Sequence, residues 1–115
     1  MSRAPAIFLF ALFPLLAWAQ PPLSAADARA VRQVIEAQLD AFRHDDAPRA
    51  FSYAAEGIRR TFGTPESFME MVRSGYAAVY RPRSVAFDVP VVENGEVFEL
   101  VRLTDVDGRA WFALY

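Results

Sequence analysis

At Arg83 the spacing of apolar residues changes. Upstream, Val31, Val34, Ile35, Leu39 and Phe42 recur every third or fourth position, which places them on one face of a helix. Downstream, Val85, Phe87, Val89 and Val91 alternate with Ala86, Asp88 and Pro90, the mark of a half-buried strand. Side chains repeat every 3.6 residues around a helix and every second residue along a strand, so the two halves need different elements. Helices come first and strands second. That order predicts an α+β fold in which three N-terminal helices cover one face of an antiparallel three-stranded meander.

Local signals set the boundaries. Ser24 can accept from the amide of Asp27 and start a helix that runs to about Arg43. A second helix follows Asp46, with Pro48 in its first turn and a stripe of Phe51, Ala54, Ala55, Ile58 and Phe62, and Gly63 ends it. Thr64-Pro65-Glu66 opens a third helix with Phe68, Met71 and Val72 inward, which Gly75 stops or kinks before Val79. In the strand region Pro90 marks an edge or a bulge, and Asn94-Gly95 is a two-residue hairpin signal. The second strand is expected over Glu96 to Thr104. The third runs from Arg109 to Tyr115, after a turn at Asp105-Val106-Asp107-Gly108.

The opening residues read as something other than fold. Arg3, an apolar run from Ala6 to Leu16 and Ala17-Trp18-Ala19 make a secretory leader over 1–19, cleaved after Ala19, with 20–23 as a proline-bearing linker and 24–115 as one domain. The apolar run is short for a bilayer span, which needs about 20 residues, so no stable membrane anchor is expected after cleavage. The product would be periplasmic or secreted. It has no cysteine, which excludes disulfide staples and thiol lipidation and leaves packing to hold the chain together. The formal charge of -2 becomes one unit more negative when Arg3 leaves, which excludes the basic field that nucleic acid requires.

Ile35 to Asp46, Ala50-Phe51-Ser52, Phe62-Gly63-Thr64-Pro65, Met71-Val72, Gly75-Tyr76 and Tyr80-Arg81-Pro82 form a series of motifs between Ser24 and Tyr115. In these the chain resembles the bacterial domain of unknown function 4864 family. The resemblance implies a cone-like fold of the nuclear-transport-factor-2 type, a curved antiparallel sheet wrapped on helices. Such chains usually continue into a further hairpin, so this sequence is expected to be C-terminally incomplete. The resemblance brings no established activity and no catalytic residues.

The only histidine, His44, lies beside Asp45 and Asp46. A metal site needs three or four converging ligands. Asp40 and His44 instead share the outward helix face, so His44 is expected at the negative end of the first helix and Asp46 at the cap of the second. Neither a metal nor a cofactor is expected. Gln38 falls inside the apolar stripe, with Asp45 on nearly the same line two turns on. A buried amide needs a partner, either a backbone group or water on one reading, or a polar pocket on the other. Tyr76, Tyr80 and Arg81, with Arg83, lie at the crossing from helix to sheet, where phenols and guanidinium groups could hold a carbonyl or anionic ligand. Candidate ligand-binding residues are therefore Gln38, Asp45, Tyr76, Tyr80 and Arg81.

No phosphate loop, nucleophile elbow, H-E-x-x-H or thiol pair is present, so no catalytic residue is assigned and the chain reads as non-enzymatic. The first reading is a module for a small, partly apolar ligand. Two others stand beside it: an interaction module, for instance a homodimer formed through the exposed sheet, and a cone enzyme of proton-transfer type. The last needs a carboxylate inside the fold. Most acids are expected at caps, turns or outward helix faces.

Overall fold

The computed structural model describes residues 23–115. The leader over 1–19 and the Gln20–Pro22 part of the linker lie outside the described residues. Helix α1 spans Ala25–Arg43, and the Ser24 hydroxyl accepts from the Asp27 amide at 3.0 Å, as the spacing predicts. Helix α2 (Ala47–Ser52) starts at Asp46, whose carboxylate accepts from the Arg49 amide at 3.2 Å. Helix α4 (Pro65–Gly75) starts at Thr64, whose hydroxyl accepts from the Ser67 amide at 3.1 Å. Each cap satisfies an amide left unpaired in the first turn.

The second helix differs from expectation. It stops at Ser52, and a separate helix α3 follows over Glu56–Phe62. The Ser52 hydroxyl donates to the Arg49 carbonyl at 2.6 Å, a local bond that competes with helix continuation, and Gly57 has low helix propensity. The break also ends the helical phase, so Ala55 and Ile58 are exposed while Phe51 and Phe62 stay partly buried. After α4 the chain kinks at Tyr76 and adds one turn, α5 (Ala77–Tyr80).

Five strands follow: β1 Ser84–Phe87, β2 Val91–Glu93, β3 Glu96–Phe98, β4 Leu100–Thr104 and β5 Ala110–Leu114. All pairings are antiparallel. One sheet has the order β1-β4-β5 and the other is the hairpin β2-β3, so each of the first two expected strands is divided in two. The division has a register cause. Phe87 pairs with Val101, and Val91 pairs with Phe98, so Asp88, Val89 and Pro90 face only Glu99 and Leu100. This is a bulge at the position that Pro90 marks. Beyond it, Asn94 (φ 53) and Gly95 (φ 79) take the two positive angles that a type I′ turn requires.

Helices and sheet share one core. Val101, Leu103 and Ala113 supply the sheet side; Ile35, Leu39, Phe42, Phe68, Val72, Ala78 and Val79 supply the helical side. Phe68 is its aromatic joint, with ring centroids 5.9 Å from Phe42, 5.6 Å from Phe51 and 6.2 Å from Phe62. It therefore joins α1, α2, α3 and α4. Phe68→Ala should destabilise the fold by about 3–5 kcal/mol, measured as a lower denaturant midpoint at unchanged slope.

Candidate functional site

Helix α1 ends in a way that decides where Asp45 points. The Asp46 amide donates to the Ala41 carbonyl at 2.8 Å, and the Asp45 amide to the Phe42 carbonyl at 3.1 Å, with Asp45 at φ 54. This is a Schellman ending, with aspartate where glycine is usual. The helical line stops at Arg43, so Asp45 leaves the line of Gln38 and turns towards α5.

There it meets two of the expected residues. Tyr80 donates its hydroxyl to Asp45 Oδ1, Arg81 Nη2 donates to Asp45 Oδ2 at 3.0 Å, and Arg73 Nη2 lies 3.6 Å from Asp45 Oδ1. The Arg81 guanidinium also lies 4.2 Å from the Tyr80 ring centroid and donates to the Phe42 carbonyl at 2.7 Å. The Tyr80 hydrogen bond is the largest cause holding the Asp45 carboxyl below its ordinary value, and Arg81 adds to it. Both carboxylate oxygens are engaged, so the cluster fastens the end of α1 to α5. Tyr76 lies at the kink between α4 and α5, packed against the core.

Gln38 takes the backbone alternative. Its Nε2 donates to the Ala50 carbonyl at 3.1 Å, tying α1 to α2. His44 Nδ1 lies 2.9 Å from the Asp40 carbonyl oxygen, at the C-terminal end of α1. Asp40 itself is bonded to Arg49 and Arg43, which hold its carboxyl below the ordinary range. Among the described residues no group of three or more histidine, cysteine or acid side chains could hold a metal ion.

Most acids are expected at caps, turns and outward faces; two, Glu93 and Glu99, are buried. Glu93 is 7% exposed and Glu99 is 1% exposed, and among the described residues Glu93 Oε2 and both Glu99 oxygens have no hydrogen-bond partner. Glu99 lies at the bulge. Its amide donates to the Tyr115 carbonyl at 3.0 Å and its carbonyl accepts from the Tyr115 amide at 2.9 Å, so its main chain is satisfied and only the carboxyl is not. Alternation from Leu103 and Val101 puts Glu99 on the core face of the sheet. Burial pushes its carboxyl upward; Arg32 on α1 opposes this and Asp88 adds to it. The Arg32 guanidinium lies 5.1 Å from the ring centroid of Phe87, on the neighbouring strand. The sequence carried a partial signal for this site, because Glu99 is in phase with the inward Val101 and Leu103.

Helices followed by antiparallel strands make this an α+β protein, with the Glu99 carboxyl enclosed on the sheet's inner face. Its family is shown by sequence: the chain belongs to the family described as domain of unknown function (DUF4864), whose family model matches residues 24–115. No curated protein and no solved structure matches the chain.

Two titrations test these geometries. Asp45 is depressed in the folded state, so it contributes stability that is present above the ordinary aspartate range and lost as pH falls through the folded value. Tyr80→Phe should bring its pKa back up towards 3.8 and shrink that contribution, seen by carboxyl-carbon NMR titration. Glu99 has the opposite sign. Its raised value makes the carboxyl fully tolerated below 4.5, with stability lost as pH rises through the folded value. Glu99→Leu should therefore be more stable than the parent at alkaline pH by about 1–3 kcal/mol, with the gap narrowing in acid, measured by denaturant unfolding across pH.

Proposed function

We propose that this domain is a non-enzymatic binding module for a small, partly apolar ligand, held on the inner face of the sheet with Glu99 as its polar anchor. The reading rests on one observation, a carboxyl that is almost wholly enclosed and has no hydrogen-bond partner on either oxygen among the described residues. Leaving such a group unpaired costs about 1–3 kcal/mol, and binding sites are places where that cost is retained for a partner. The bulge at Asp88–Pro90 supports it, since bulges re-aim side chains beside sites. On this reading the bent sheet is the wall of a cone of the nuclear-transport-factor-2 type. Its leader-like opening supports work in the periplasm or outside the cell.

Of the residues at the helix-to-sheet crossing, Tyr80, Arg81 and Asp45 serve the fold by fastening α5 to α1, and Gln38 does the same between α1 and α2. A second reading is favoured by the upward push on the Glu99 carboxyl: a group held ready to exchange a proton suits proton-transfer chemistry. Glu99→Gln separates the two readings, because the amide keeps hydrogen bonding but cannot take a proton.

Native mass spectrometry of the gently purified chain should show a co-purifying small molecule. Glu99→Leu should lose it while remaining folded, and Gln38→Leu, which breaks only the bond to the Ala50 carbonyl, should keep it. Retention in Glu99→Leu, or no adduct in any variant, would overturn the reading.

A further inference from the structure

Strand β5 pairs with β4 along one edge, and among the described residues no strand pairs with its other edge. We propose that this edge is the interface of a homodimer, in which β5 lies antiparallel to β5 of a second copy, with Phe112 opposite its own copy at the two-fold axis. The proposal is independent of the ligand-binding reading above.

Register sets the direction of the outward main-chain groups. The Tyr115 amide and carbonyl are both bonded to Glu99, and the Arg109 carbonyl accepts from the Asp105 amide at 2.9 Å. Bonding direction alternates along an antiparallel strand, so Arg109, Trp111, Ala113 and Tyr115 turn their main chain to β4, and Ala110, Phe112 and Leu114 turn theirs outward. Two such strands related by a two-fold axis at Phe112 exchange about six hydrogen bonds through these residues.

The two edges of the sheet are built differently. β1 is bracketed by Pro82 and Pro90, follows Arg83 and ends in the bulge, all of which keep an edge from pairing. β5 runs Ala110-Trp111-Phe112-Ala113-Leu114, with no charge or proline and an unbroken register. Only Ala113 is buried in it; Trp111, Phe112 and Leu114 are half-buried and have apolar surface left to cover.

The strand is complementary to itself, which favours a second copy as its partner. About Phe112 the register sets Ala110 against Leu114 on the outer face and Trp111 against Ala113 on the inner face. Each large side chain therefore meets a small one, and the two Phe112 rings form a cross-strand aromatic pair. The Trp111 indole Nε1 donates to Asp105 Oδ2 at 2.9 Å, which fixes the ring before pairing. No like charges meet along the strand, since Arg109 falls opposite Tyr115. The result is one continuous sheet that joins two copies of the order β1-β4-β5.

The test is light scattering and amide hydrogen exchange on the full chain, with variants at the axis. The parent should be a dimer that dissociates on dilution, with the amides of Ala110, Phe112 and Leu114 protected in the dimer and exchanging freely in the monomer. Phe112→Lys and Phe112→Glu each set like charges against one another across the axis and should each weaken dimerisation by about a hundredfold or more, with circular dichroism unchanged. Mixed in equal amounts they should recover the dimer, a rescue that requires residue 112 to face its own copy. Ala110→Pro removes an outward N–H at an edge position that tolerates proline; it should also weaken dimerisation, and it serves if the Phe112 variants fail to fold. A monomer at every concentration would overturn the proposal, and protection of those three amides in that monomer would mean that another part of the same chain covers the edge. A dimer that survives both Phe112→Lys and Ala110→Pro would overturn it too, because its interface would lie elsewhere.

Discussion

Strand β4 is bonded on both sides, to β1 and to β5, and its inward residues Val101 and Leu103 are 0% and 1% exposed. These side chains are where the sheet enters the core that the helices build around Phe42 and Phe68. With no cysteine in the chain, nothing covalent can stand in for that contact. The same strand direction carries Glu99 onto the same face, one step beyond the apolar pair. An enclosed carboxyl and the apolar seam are thus products of one alternation, and the carboxyl draws on stability that the seam supplies.

The helical layer is fastened by polar bonds aimed at main-chain carbonyls as well as by packing. Gln38 reaches the Ala50 carbonyl and Arg81 reaches the Phe42 carbonyl. The first joins consecutive helices across 12 residues and the second spans 39, and they give the short helices α2 and α5 a fixed seat against α1. Helices of six and four residues are too short to hold their own geometry in water, so these ties and the core contacts must hold it for them.

What the sequence disclosed was chemistry of short range. The caps at Ser24, Asp46 and Thr64, the Asn94-Gly95 turn and the break at Pro90 each depend on a few neighbouring residues, and each is found where those residues place it. Two features escaped. The helix break after Ser52 depends on a local hydrogen bond that helix periodicity does not register. The direction of Asp45 depends on a Schellman ending, and aspartate signals that ending far more weakly than glycine. Glu99 is a different case. Its phase with Val101 and Leu103 was present in the sequence, but an acid is ordinarily assigned to solvent, and only tertiary enclosure shows that this one is not.

The bulge is also where two rules of pairing disagree. The core register opposes Ser84 to Thr104, while the two-residue turn opposes Glu93 to Glu96, and the ladders that these pairs define are offset by one residue. A strand with one residue fewer between Phe87 and Val91 would satisfy both in an uninterrupted ribbon. The bend therefore has the character of a single-residue insertion, and the hairpin beyond it is a unit that can be lengthened or shortened in cross-strand pairs without disturbing the register on which the core depends.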